Sequence, residues 1–291
     1  MQFEKKPVIL VTGANGQLGN EFRQLASQQD NYEFLFTTRD TLDITDQHQV
    51  MRIFQKFRPD FCINCAAYTA VDKAEEEQTK AFAVNSEAVR FIVNACHLYT
   101  CKLIHFSTDY VYHSIKDRPI KETDECDPQG LYGKSKRAGE LILEYSNIEW
   151  ICLRVSWLYS AFNHNFVKTM LRLGEDRSAL NVVNDQIGAP TYARDLATDV
   201  MSILAKDNFN KYTGHYNYSN GGQTNWAAFA KEIFKQRSLP CKVSGISTQD
   251  YGAAAPRPLW SVMDKTKILD NFAISPRDWK EALRDCLALI A

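Results

Sequence analysis

The sequence predicts an α/β fold built on a doubly wound parallel sheet, and three observations carry that prediction. Short apolar runs alternate with helix-period stretches through the first half of the chain, a glycine-rich turn follows the first apolar run, and polar motif residues recur where later runs end. Strands that alternate with helices are joined by crossovers, which lay helices on both faces of a parallel sheet. Ligands in such sheets sit beyond the carboxyl ends of the strands.

Taken in order, residues 7–12 form a continuous apolar run of the kind a strand buried on both faces shows, and residues 17–27 carry a helical period. A second strand is expected over 32–37, a helix over 47–57 and a third strand over 61–66. A helix over 78–99, a strand over 102–107, a helix over 132–145 and a strand over 150–155 complete the alternation. The acidic run 72–77 is read as a first helical turn, favoured by the helix dipole, rather than as a metal site.

Beyond Ser156 the pattern changes to helices over 165–173 and 224–236, separated by loops rich in Gly, Pro, Asn and Tyr. Residues 1–155 are expected to form a Rossmann-type dinucleotide domain and residues 156–291 mainly a smaller domain closing over the sheet edge. The segments Asn181-Val-Val-Asn and His215-Tyr-Asn-Tyr read as strands, one or both returning to the main sheet, so the two parts should be partly interleaved.

With 291 residues, 45% hydrophobic and 24% charged, the chain can bury one large core or two fused ones. A formal net charge of -1 with scattered cations gives no case for nucleic acid or an anionic membrane, so a small molecule is the expected partner. No apolar run approaches the roughly 18 residues a bilayer span requires, and the opening Met-Gln-Phe-Glu-Lys-Lys leads directly into a strand, which points to the cytoplasm. Of eight cysteines, Cys62 and Cys65 have a C-x-x-C spacing. They fall in a strand, where residues three apart face opposite ways, and no second zinc-spaced pair follows, so buried reduced thiols are expected.

Gly13, Gly16 and Gly19 form G-x-x-G-x-x-G between the first strand and the first helix. The first glycine permits a tight turn, the second lets backbone amides approach a pyrophosphate, and the third lets helix and strand pack closely. Asn15, Gln17 and Leu18 fill the same turn and are counted with the glycines as cofactor-binding. The phosphates would meet the positive end of the helix dipole. At the end of the second strand, Thr37-Thr38-Arg39-Asp40 places a cation suited to a 2'-phosphate, so NADPH is expected, with NADH left open by Asp40. Asp43 and Ile44 either line the adenine pocket or precede a helix as an N-cap region.

Tyr132 and Lys136 lie four apart in LYGKSKRAGE, on one face of a helix, where the ammonium can favour the ionised phenol. With the glycine turn they outline a nicotinamide-dependent oxidoreductase.

The stretches TGANGQLG, RPDFCINCAAYTAVDKAEEE, FSTDYVY, YGKSKRAGE, LRVSWLY, NFVKTMLRL, NDQIGAPTYARDLA and RPLWSVMD resemble, nearly end to end, the extended short-chain dehydrogenase/reductase superfamily and within it the dTDP-4-dehydrorhamnose reductases. AAYTAVDKAE and NDQIGAPT are much more specific than superfamily signatures. The resemblance implies reduction of the 4-keto group of dTDP-4-dehydro-L-rhamnose to dTDP-L-rhamnose, a bacterial polysaccharide precursor. It implies Tyr132 as proton donor, Lys136 lowering the phenol's pKa and bonding the nicotinamide ribose, and Thr108 orienting the carbonyl. Ala66, Ala67 and Tyr68 match a loop along the cofactor, and Asp109, Trp157 and Arg257 match positions that meet the sugar nucleotide. Asn85 matches a helix asparagine that supports a proton relay.

The chain also departs from the family. Some rhamnose reductases are dimers bridged by magnesium through glutamates, whereas Arg194 stands where such a glutamate is expected. No metal is therefore expected, and a homodimer stays open. Val111-Tyr112-His113 and Leu259-Trp260 replace more usual residues near the expected substrate cleft. Two alternatives follow: a reductase of another nucleoside-diphosphate 4-ketosugar, or a non-catalytic NADP-binding subunit resembling the regulatory beta subunit of methionine adenosyltransferase.

Overall fold

The computed structural model describes residues 5–206 and 209–290. The first strands and helices follow the predicted alternation: β1 (Val8–Thr12), α1 (Gln17–Ala26), β2 (Glu33–Phe36), α2 (Gln47–Phe57) and β3 (Phe61–Asn64). After α3 (Gln78–Phe82) and α4 (Ala88–Tyr99) come β4 (Lys102–Thr108), α5 (Leu131–Glu144) and β5 (Trp150–Val155). The remaining strands are β6 (Leu158–Tyr159), β7 (Ala179–Val183), β8 (Ile187–Gly188), β9 (Thr191–Tyr192), β10 (Gly214–Tyr218), β11 (Thr224–Asn225) and β12 (Lys242–Ile246). Among them stand the helices α6 (Phe166–Asp176), α7 (Ala193–Leu204) and α8 (Trp226–Gln236).

Six strands form one parallel sheet in the order β10-β5-β4-β3-β1-β2. The chain runs outward from β1 to β2 and then returns to the other side of β1 to begin β3. The strand order thus reverses between β1 and β3, where such sheets open a ligand crevice. Successive residues of one strand feed two different cores: Ile9 and Val11 pack under α1 and α7, whereas Leu10 packs under α2 and α4. That explains why the strands read as continuous apolar runs. Cys62 and Cys65 likewise separate, one into each core.

Of the two later segments, one or both of which were expected to return, His215-Tyr-Asn-Tyr does so, within β10 beside β5. The other does not: Asn181 to Val183 lie in β7, which pairs with β12 in a separate sheet. That sheet packs with α6, α8 and the helix Trp279–Leu287 around a core including Met170, Leu180, Phe229 and Ile233.

The single helix expected over 78–99 is interrupted by a π turn, Ala83–Glu87, between α3 and α4. The acidic run also departs from prediction: Lys73–Glu75 is a separate 3-10 turn, and its carboxylates reach different partners. Among the described residues no helix is long and apolar enough to cross a membrane.

Candidate active site

The glycine turn is shaped by contacts that admit no side chain. Gly13 has φ +61, and a Cβ there would stand 2.7 Å from the nitrogen and Cα of Ala66, at the exit of β3. A Cβ on Gly19 would lie 2.5 Å from the Gly13 carbonyl, so α1 is seated hard against the turn. Gly16 is the N-cap of α1 and supplies no side-chain cap, which leaves the first-turn amides available to an anion. A cleft of about 330 Å³ opens here, lined by Gly13, Asn15, Gly16, Arg39, Asp43, Ile44, Ala66, Ala67 and Tyr68.

Two of the remaining turn residues keep their side chains out of the cleft. The Leu18 side chain is buried in the core below α1, and Gln17 Oε1 accepts from Asn165 Nδ2 at 2.9 Å. Neither side chain lines the cleft, so these positions can serve a cofactor through backbone alone. Lys80 and Val84 do line it, although sequence reasoning missed them. Their one signal is membership of the helix that follows the Ala66-Ala67-Tyr68 loop.

Arg39 projects into solvent at the cleft wall, its side chain 81% exposed and its Nε 3.9 Å from Asp43. Asp43 accepts from Thr45 N and Thr45 Oγ1, while the cap of α2 is Asp46, which accepts from His48 N and Gln49 N. The cap that precedes Gln47 is thus Asp46, while Asp43 and Ile44 both line the cleft.

Beyond the cleft, Thr108 ends β4 and Tyr132 begins α5. The Thr108 hydroxyl donates to Asp109 Oδ1 at 3.1 Å and accepts from Tyr110 N at 3.2 Å. The Tyr132 ring meets Tyr110 edge-on, with centroids 5.5 Å apart. Burial pushes the Tyr132 phenol well above its ordinary value, with the Thr108 hydroxyl opposing that rise. The Lys136 ammonium donates to Phe106 O at 2.6 Å, and burial pulls Lys136 down to about 8. Asp109, buried at 2% exposure, is pushed up to about 6 by burial, with Ser261 and Thr108 opposing, and its Oδ2 has no hydrogen-bond partner.

Asn85, expected to support a relay, is fully engaged. In the π turn its Oδ1 accepts from Tyr68 N at 2.9 Å, and its Nδ2 donates to Tyr68 O and to Ser135 Oγ, each at 3.0 Å. It clamps the cofactor-side loop to the helix bearing Tyr132, and the extra residue of a π turn aims its amide there.

The carboxylates of the acidic run disperse. Glu75 Oε1 accepts from Leu131 N at 2.8 Å, capping α5, whose N-cap Gly130 has no side chain. Asp72 accepts from Arg257 Nη2 at 2.6 Å, and Glu77 accepts from the Tyr68 hydroxyl at 3.1 Å. Arg257 also reaches Tyr110 Oη at 3.2 Å, which links it to Tyr132 through one ring. Trp157 lies in the other lobe with φ +47, stacked on Trp226 with centroids 3.8 Å apart.

Val111 and Tyr112 belong to a small buried core with Ile120 and Met263, against which Trp260 packs. Arg194 donates to Glu21 at 3.0 Å, closing an ion pair within the chain.

The family model described as RmlD substrate binding domain matches residues 7–291. A dTDP-4-dehydrorhamnose reductase of Aggregatibacter actinomycetemcomitans is 40% identical over 96% of this chain and 98% of its own length. The spore coat polysaccharide biosynthesis protein SpsK of Bacillus subtilis is 39% identical over 96% of each chain. A solved dTDP-4-dehydrorhamnose reductase of Bacillus anthracis, in complex with NADP, superposes with a TM-score of 0.92 at 36% identity, covering 98% of this chain and 99% of that one.

Proposed function

The chain belongs to the family described as RmlD substrate binding domain, and from that membership we propose that it reduces the 4-keto group of dTDP-4-dehydro-L-rhamnose with NADPH to give dTDP-L-rhamnose. The observation that carries this reading is that Tyr110 joins Thr108, through its amide, to Tyr132, through its ring, beside a cleft whose floor at Gly13 and Ala66 excludes any Cβ. A flat dinucleotide backbone fits that floor, and the uncapped first turn of α1 suits its pyrophosphate. Arg39, Asp43, Ile44 and the Ala66-Ala67-Tyr68 loop hold the adenosine and phosphate portions in this reading.

NADPH, when bound, supplies the hydride. Tyr132 gives the proton that quenches negative charge on the sugar oxygen, and its raised pKa keeps that proton in place until the charge develops. Thr108 orients the carbonyl. Lys136 bonds the nicotinamide ribose, while Asp109, Trp157 and Arg257 contact the nucleotide sugar. Residues 1–155 serve as the dinucleotide half and 156–291 mainly as the substrate half, apart from β10 and α7, which pack with the first.

The proposed site of action is the cytoplasm, supported by eight free cysteines, as a compartment that keeps thiols reduced allows. Any homodimer forms without a carboxylate at position 194, since Arg194 is paired with Glu21.

The test is loss of NADPH absorbance with dTDP-4-dehydro-L-rhamnose, run beside the Tyr132→Phe protein. Turnover by the wild type alone supports both substrate and proton donor. No turnover by a folded, NADPH-binding wild type removes the substrate assignment.

A further inference from the structure

Glu140 lies one helical turn beyond Lys136 on the buried side of α5. It is fully buried, and its two oxygens accept from Arg154 Nε at 3.0 Å and Nη2 at 2.8 Å. Arg154, on β5, is 1% exposed and donates through Nη1 to Tyr112 Oη at 2.6 Å and Glu122 O at 3.2 Å. The pair therefore ties α5 to β5, next to the strand whose Phe106 carbonyl holds the Lys136 ammonium.

A buried ion pair is poor evidence of a purely stabilising role, because apolar packing of similar volume anchors a helix as well or better. The distinctive consequence of this one is a negative charge beneath a buried cation. Other titratable groups around it are His105 of β4, Cys152 of β5 and His215 of β10, with Arg137 and Glu144 on α5 itself. Burial, together with Lys136 and His215, pushes His105 well below its usual range, and burial pushes the Cys152 thiol well up, so both are neutral near pH 7. Glu140 stays ionised because Arg154 outweighs its burial. Of the groups that oppose the desolvation of Lys136, Cys152 comes first and Glu140 second, and Glu140 is the one fixed as an anion.

Glu140, Cys152 and His215 place ligand-type atoms within 4.8 Å of one another, but the cations that Glu140 holds are the guanidiniums of Arg154 and of Arg137, whose Nη1 donates to Glu140 Oε2 at 3.0 Å.

We propose that Glu140 is a positioning residue for the reduction: its pair with Arg154 sets the seat of the helix that carries Tyr132 and Lys136, and its charge keeps the Lys136 ammonium in the site. The proposal rests on the roles assigned above to Tyr132 and Lys136.

The experiment is the pH profile of NADPH turnover and, separately, of NADPH affinity, for the full chain carrying Glu140→Gln, Glu140→Asp or Glu140→Gln with Arg154→Gln. In Glu140→Gln the alkaline limb of kcat/KM should move about one unit lower, giving about a tenfold loss above the limb and a smaller loss in mild acid. Glu140→Asp should restore the limb. The double variant, which leaves no uncompensated guanidinium, should recover thermal stability while keeping the displaced limb. A limb at its wild-type pH in both Gln proteins, with only a uniform loss of rate or melting temperature, would overturn the proposal. The affinity profile needs no sugar, so failure of the substrate assignment would be distinguishable from failure of this inference.

Discussion

The backbones of Gly13 and Ala66 meet so closely that a methyl group on the glycine would stand 2.7 Å from two Ala66 atoms. The contact joins the ends of β1 and β3, where the strand order reverses, and neither partner can yield without moving a strand exit. Gly13 also has φ +61, a conformation that L side chains rarely adopt. Gly13→Ala should therefore cost about 1–3 kcal/mol and weaken NADPH binding at least tenfold. Thermal melting with and without NADPH, alongside nucleotide titration, would check this; wild-type affinity would show that the floor tolerates displacement.

Tyr132→Phe removes the hydroxyl and leaves the ring against Tyr110. The expected result is a fall in kcat of about 10²- to 10⁴-fold with NADPH affinity nearly unchanged. Stopped-flow turnover and fluorescence titration separate the two quantities, and turnover close to wild type would dismiss Tyr132 as the proton donor.

Lys136 works as a cation, and burial holds it near 8 in the absence of ligands. For a group active in its protonated form, kcat/KM should be level below that value and fall as pH rises through it. Lys136→Ala should lose the limb along with most of the activity and weaken NADPH binding. An alkaline limb that survives in Lys136→Ala would assign the titration to another group.

Arg39 is exposed, and its nearest carboxylate, Asp43, is 3.9 Å away, so it can turn to a 2'-phosphate at little cost. Arg39→Ala should raise KM for NADPH about tenfold, equivalent to roughly 1.4 kcal/mol, and leave KM for NADH unchanged. Equal changes for both cofactors would make Arg39 a surface charge without a role in selection.

Asp199 accepts from the Tyr218 hydroxyl at 2.6 Å, and burial raises its pKa to about 6. The folded value exceeds the unfolded one, so its contribution to stability is fully present below about pH 4 and is lost as pH rises through about 6. Asp109, also raised to about 6 by burial, acts in the same direction. Asp199→Asn should reduce the stability lost between those pH values, as measured by urea unfolding. An unchanged pH slope would refute the assignment.

The alternation of strands and helices was legible because period is a local property: a doubly buried strand is apolar at every position, and an amphipathic helix repeats every three or four residues. Gly13 and Gly19 were legible for a related reason, since a turn between β1 and α1 leaves no room for side chains there. The later half was harder to read. Asn181-Val-Val-Asn and His215-Tyr-Asn-Tyr read alike as strands, but only long-range packing sent the second to the main sheet.

Side-chain partnership lay beyond the sequence throughout the site. Nothing local to Lys136 says that its ammonium turns to Phe106, or that Asn85 sits in a π turn and clamps Tyr68 to Ser135. Glu75 looked like one acid in a run, and only folding brought it to the uncapped start of α5. By itself the sequence determined the strand-helix order of the first half, the glycine turn and the spacing of Tyr132 to Lys136, because these depend on neighbours along the chain. The tertiary structure alone decided which charges are buried and what each polar group bonds, because burial and pairing depend on residues brought together from distant parts of the sequence.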